Sequence, residues 1–161
     1  MVGIGEFLLH FSADGFNSEI AYSYFLNISP DRLTLGHYIL VPFIPFYIFG
    51  YWHLYHALKP GNEFLAKAVL ALGIFAFVIG GIWVGSRAHL GMTVQIMSEG
   101  NPDLYAQLLA SYDLHVENLV QILRVIVLLI SVCFVAAILK GGTLYPKWMA
   151  LFNPILLLIT V

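Results

Sequence analysis

Residues 116–139 read VENLVQILRVIVLLISVCFVAAIL, and beyond Asn118 only Gln121, Arg124 and Ser131 interrupt the apolar run. At 1.5 Å per residue the stretch reaches about 36 Å as a helix, more than the roughly 30 Å of hydrocarbon in a bilayer. Read as a helix, it spans a membrane. Its polar exceptions are ordered: Asp113, Glu117, Gln121, Arg124 and Ser131 fall on one face. Arg124 lies roughly 12 Å beyond the start of the run. A guanidinium at that depth is costly unless it faces a counter-charge or a wet cavity, and Glu117 and Glu6 are the candidate partners.

Two further runs are long enough to cross, 33–58 and 64–90, while a first segment is ending at Phe11 and another begins at Lys147. The expected fold is all-α, a polytopic transmembrane helical bundle of three full spans and two partial ones. Residues 1–161 form a single transmembrane helical domain. Both ends look cut. "MVGIGEFLLHF" lacks the basic start of a signal peptide, and "WMALFNPILLLITV" supplies about half a crossing, so a fragment of a longer product is expected.

Composition agrees. The chain is 60% hydrophobic and 10% charged, with a mean hydropathy of +0.87, where soluble domains carry about 25% charge. Seven Lys and Arg against nine Asp and Glu give a net charge of -2 without a basic run, which speaks against nucleic acid as a partner. The single cysteine, Cys133, has no second thiol with which to form a disulfide or a thiolate metal site, and reads as a small buried hydrophobe.

The connections are of two kinds. "KPGNE" after Leu58 and "KGGTLYPK" after Leu139 are tight turns carrying Lys59, Lys140 and Lys147, with Lys67 just beyond the first. The long connections are acidic, with Asp14, Glu19, Asp31, Glu99, Asp103, Asp113 and Glu117 against Arg32 and Arg87. The positive-inside rule puts the tight turns in the cytoplasm. In the second long connection, Asn101 and Pro102 read as N-cap and first helical residue. The first, "SADGFNSEIAYSYFLNISPDR", reads as an interfacial segment or a short helix dipping into the bundle.

Alternating the spans gathers His10, Asp14, His37, Arg87, His89, Asp113, His115 and Glu117 at the outer side. His53 and His56 fall at the opposite end beside Tyr51, Trp52, Tyr55 and Lys59, and read as interfacial anchors. Pro42, Pro45 and Asn153-Pro154 interrupt helices, as packing kinks or cavity borders, and Gly80, Gly81 and Gly85 read as a close-packing stripe.

The stretches "GEFLLHFSADG", "SPDRLTLGHYI", "GYWHLYHAL" and "YPKWMALFNP" resemble a family of bacterial multi-pass membrane proteins catalogued as domain of unknown function 6796. The resemblance covers most of the chain. It implies a bacterial protein of the inner (plasma) membrane, built of six helices in a longer chain, and brings no established activity. His53 lies in a family-like motif, and a histidine there can cap the helix C-terminus instead.

The outer cluster frames two functional readings. In the first, a membrane-embedded enzyme or a lipid- or small-molecule-binding protein holds a divalent ion such as zinc on His37, His89, His115, His10 and Asp14. Glu117 and Arg124 are then the catalytic groups, and Arg87, Glu6 and Gln121 bind an anionic substrate. In the second, a non-catalytic carrier or accessory subunit uses the same charges as a relay or as structural ion pairs. Haem between His37 and His89 is geometrically allowed and disfavoured. No serine sits in a glycine-flanked nucleophile elbow, and no phosphate-binding glycine loop occurs.

Overall fold

Asn101 begins the helix that carries the decisive run. Its side chain accepts hydrogen bonds from the backbone N–H groups of Asp103 and Leu104, at 2.9 and 3.3 Å, and Pro102 takes the first helical position. A computed structural model describes residues 2–12, 22–97 and 100–156. Helix α5 (Pro102–Tyr112) runs without a break through a π-helical turn (Asp113–Glu117) into α6 (Asn118–Lys140).

The preceding elements are α1 (Val2–His10), a 3₁₀ turn (Ser23–Asn27), α2 (Pro30–Leu40), a second 3₁₀ segment (Val41–Phe46), α3 (Tyr47–Leu58) and α4 (Glu63–Met97). No strand occurs among the described residues, so the chain is all-α. Three helical stretches are long and apolar enough to cross a membrane: Pro30–Leu58, Glu63–Met97 and Pro102–Lys140. Their surfaces carry large apolar side chains, with Phe64 79% and Ile96 75% exposed, as lipid-facing positions require.

A helical stretch long and apolar enough to cross covers each of the three expected spans, with corrected ends. Ser29, accepting from Arg32 N–H, and Pro30 start the first of them three residues early. Helix α4 continues to Met97, well past Leu90. Pro42 and Pro45 interrupt the first stretch as expected, as a 3₁₀ segment. The last, partial segment starts at Lys147 and is interrupted at Asn153 as expected, but its first part, Lys147–Phe152, is 3₁₀ before the chain turns helical again at 154–156. Ser131 Oγ accepts the Ile155 N–H at 3.1 Å, and Asn153 Oδ1 accepts that of Leu156, so side chains satisfy donors the proline break leaves free.

The chain divides into two compact units: Met1–Ile44 with Gly81–Leu119, and Pro45–Gly80 with Val120–Val161. In the first unit α1 packs on α2 through Gly5, Leu9, Gly36 and Leu40. A Cβ added at Gly5 would lie 2.5 Å from that of Leu40. Gly91 likewise has Leu33 and Phe25 at 2.8 Å. Arg32 closes the C-terminal end of α1, its Nη2 donating to the carbonyls of Phe7 and Phe11.

In the second unit the buried stripe of α6 is Ile126, Ile130, Phe134, Ala137 and Ile138, at helical spacing. The two tight turns meet here. Leu144 N–H donates to Ala57 O at 2.9 Å, and Gly61 approaches Gly141 so closely that a Cβ would lie 2.6 Å from its carbonyl. Lys59 and Lys140 therefore belong to adjoining turns. The expected Gly80, Gly81 and Gly85 stripe is looser than supposed: a Cβ at Gly80 meets nothing nearer than 4.0 Å and one at Gly85 nothing nearer than 3.9 Å.

Candidate functional site

Glu117 is the convergence point of the first unit. Closing the π-helical turn, its Oε1 lies 2.8 Å from Arg87 Nη2 and accepts from the Tyr22 hydroxyl at 3.2 Å, while Oε2 accepts from Trp83 Nε1 at 3.3 Å. The Tyr22 hydroxyl is also 2.6 Å from Asp113 Oδ1. Asp113 and Glu117, at the two ends of the π turn, thus share one phenol.

Arg87 is among the few buried charged or polar side chains, 7% exposed. Its guanidinium lies over the Trp83 ring, 4.1 Å from the centroid, and 5.9 Å from that of Tyr22. The i, i+4 spacing of Trp83 and Arg87 on α4 makes the stacking local. Ser86, one residue before Arg87, bonds the Tyr112 hydroxyl at 2.9 Å, and Tyr112 meets the edge of Tyr22. Tyr22 itself has φ 61°, a left-handed backbone that costs a non-glycine residue energy and is tolerated where surrounding contacts hold it. Burial, reinforced by the two carboxylates, pushes its phenol pKa well above the ordinary tyrosine value, which keeps it a donor.

The carboxylate expected to meet Arg124 is therefore taken by Arg87. Seven residues along one helix separate Glu117 from Arg124 by about 10 Å, so a close counter-charge has to come from another helix. Arg124 is exposed on α6 and donates to Gln121 Oε1 at 3.2 Å. Glu6 is exposed on α1.

The expected metal ligands that are described do not gather as one group. His10 Nδ1 is 3.3 Å from the Glu6 carbonyl, and its ring stacks at 6.4 Å on Trp83. His115 Nδ1 is bonded to Ser111 O at 2.8 Å, and its side chain is exposed. Asp14 lies outside the described residues. Among the described residues no group of three or more His, Cys, Asp or Glu side chains gathers to hold a metal ion.

Two of the five do meet. His37 on α2 and His89 on α4 have ring centroids 6.3 Å apart, with planes at 70°. They line a cleft of about 130 Å³ together with Thr34, Tyr38, Ala88 and Met92. Thr34 and His37 are one turn apart on α2, as are His89 and Met92 on α4, and with Tyr38 and Ala88 each helix offers three of these side chains. The Nδ1 of His37 is buried without a hydrogen-bond partner. Sequence reading missed Thr34 and Met92 here, and Tyr22, Trp83, Ser86 and Tyr112 around Glu117. The i, i+3 and i, i+4 spacings to His37, His89 and Arg87 were the available signal.

At the turn end of α3, Trp52 meets His56 edge-on at 4.8 Å and Lys59 lies over Tyr55. His53 sets its ring against Tyr145 at 6.4 Å, and the helix end is closed by the Lys59 N–H on Tyr55 O. This aromatic and basic cluster has the composition of a membrane-interface belt.

The chain belongs to the family of unknown function DUF6796, whose model matches residues 1–161. No curated protein and no solved structure matches it.

Proposed function

We propose that this member of the family is a non-catalytic multi-pass membrane protein that binds a small ligand in the cleft between α2 and α4, with His37 and His89 as the recognising groups. The observation that carries the reading is that His37, whose buried Nδ1 has no hydrogen-bond partner, lines one cavity with His89. A buried polar atom without a partner loses hydrogen-bond energy, which a bound ligand restores.

The Arg87–Glu117 pair supports the non-catalytic half. Both carboxylate oxygens of Glu117 are engaged, by Arg87, Tyr22 and Trp83, and a carboxylate so committed is a poor general base. Its role is to join α4 to the π-helical turn and to the segment at Tyr22. The adjoining turns that bear Lys59 and Lys140 support an orientation with these turns in the cytoplasm, in an inner (plasma) membrane.

Carbethoxylation of the detergent-solubilised protein, mapped by mass spectrometry, tests the cleft. Modification of both His37 and His89 is expected, because the cavity between them opens to water. An unmodified His37 in a sample whose exposed His115 has reacted fully would contradict a ligand-accessible cleft.

A further inference from the structure

Resting on the cleft reading, we infer that its ligand is a soft monovalent d¹⁰ metal cation, Cu(I), held by His37, His89 and Met92. Three observations converge on that chemistry. The first is the donor set. Two imidazoles and a thioether, with no carboxylate or thiolate lining the cavity, suit a soft ion, whereas Mg²⁺ and Ca²⁺ require oxygen ligands.

The second is the separation of the rings. A nitrogen–metal bond of about 2.0–2.1 Å, plus roughly 1.1 Å from ring nitrogen to ring centre, puts two imidazoles on one ion at most about 6.4 Å apart. Tetrahedral angles bring the centres to about 5.2 Å. The observed 6.3 Å lies just inside the upper limit, so one ion reaches both rings only where their nitrogens turn to it from nearly opposite sides, an arrangement that suits a low-coordinate d¹⁰ monovalent ion better than four-coordinate zinc. Met92, one turn beyond His89 on the same face, is placed to approach the ion from the side.

The third is the uncommitted nitrogen. In His10 and His115 one ring nitrogen lies against a backbone carbonyl four residues earlier. In His37 the buried Nδ1 has no such partner, although it belongs to an α-helix where carbonyls are near. The His37 imidazole thus lines the cavity with its Nδ1 uncommitted to any internal bond. The cleft also lies apart from the Arg87 guanidinium in bonding terms: Arg87 is committed to Glu117 and Trp83.

The test is an anaerobic titration of the detergent-purified chain with Cu(I) in competition with a chromophoric chelator. A Cys133→Ala background removes the free thiol as a competing site. One equivalent of Cu(I) is expected, lost in the His37→Ala/His89→Ala variant. Met92→Leu, close in volume, is expected to weaken Cu(I) at least tenfold while leaving any weak Zn²⁺ binding unchanged. Stoichiometric Zn²⁺ binding indifferent to Met92→Leu would overturn the soft-ion assignment. No Cu(I) binding, in protein whose His37 and His89 are carbethoxylated, would overturn the metal while sparing the cleft. If His37 resists the reagent, the cleft reading itself fails.

Discussion

Arg87 Nη2 lies 2.8 Å from Glu117 Oε1, and the two residues tie α4 to the π-helical turn that precedes α6. A buried guanidinium left without its carboxylate is far costlier than the pair is beneficial. Removing one partner of such a pair costs about 3–5 kcal/mol, whereas replacing both by apolar groups is often close to neutral. Glu117→Gln and Arg87→Met should each lower the unfolding midpoint in mild detergent sharply. Arg87→Met/Glu117→Met should recover most of the loss, and additive losses in the double variant would argue against a structural pair.

Tyr22→Phe deletes the donor shared by Asp113 and Glu117. Hydrogen bonds to charged groups contribute about 1.5–3 kcal/mol, so a loss in that range is expected. The pH dependence has a definite sign. Because the folded phenol is held above its ordinary pKa of 10.0, its contribution is fully present below pH 10 and declines as pH rises from there toward the folded pKa. Spectrophotometric titration should find that folding withholds one more tyrosine from ionisation below about pH 11 in the wild-type chain than in Tyr22→Phe.

Helix packing gives a contrast between glycines. Gly5→Ala places a Cβ against the Leu40 backbone and Cβ and should destabilise by about 1–3 kcal/mol, the usual cost of overpacking. Gly80→Ala, with nothing nearer than 4.0 Å, should be neutral or stabilising in an α-helix. Thermal unfolding of the two variants side by side reads the difference.

Asn101→Ala removes the cap of α5 and should cost about 1 kcal/mol, visible as faster amide exchange at Asp103 and Leu104. Unchanged exchange there would mean that the cap does not hold the helix start.

The three spans were legible because apolar runs of membrane length leave the backbone little choice but helix. Asn101 and Pro102 were legible for the same local reason, as capping chemistry is read within four residues. The pairing of charges was not. A stripe on one helix brings Glu117 and Arg124 onto one face, but which guanidinium reaches the carboxylate depends on the rotation of α4, and Arg87 won through stacking on Trp83. The same holds for the histidines: placing four at one side did not say that His37 and His89 would meet, or that His10 and His115 would turn to backbone carbonyls. The interruption at Asn153 and Pro154 was legible from the proline itself, but not that Ser131, read as one more polar group on a stripe, would receive the freed backbone donor.

Thr34 lines the cleft and is exposed, whereas Leu128 is an exposed apolar residue of α6. In a Cys133→Ala background, labelling of Thr34→Cys and Leu128→Cys by a membrane-impermeant maleimide in intact vesicles tests the central claim most directly. A water-filled ligand cleft predicts rapid labelling at position 34 and none at 128. Equal protection of both positions, relieved only on solubilisation, would contradict it.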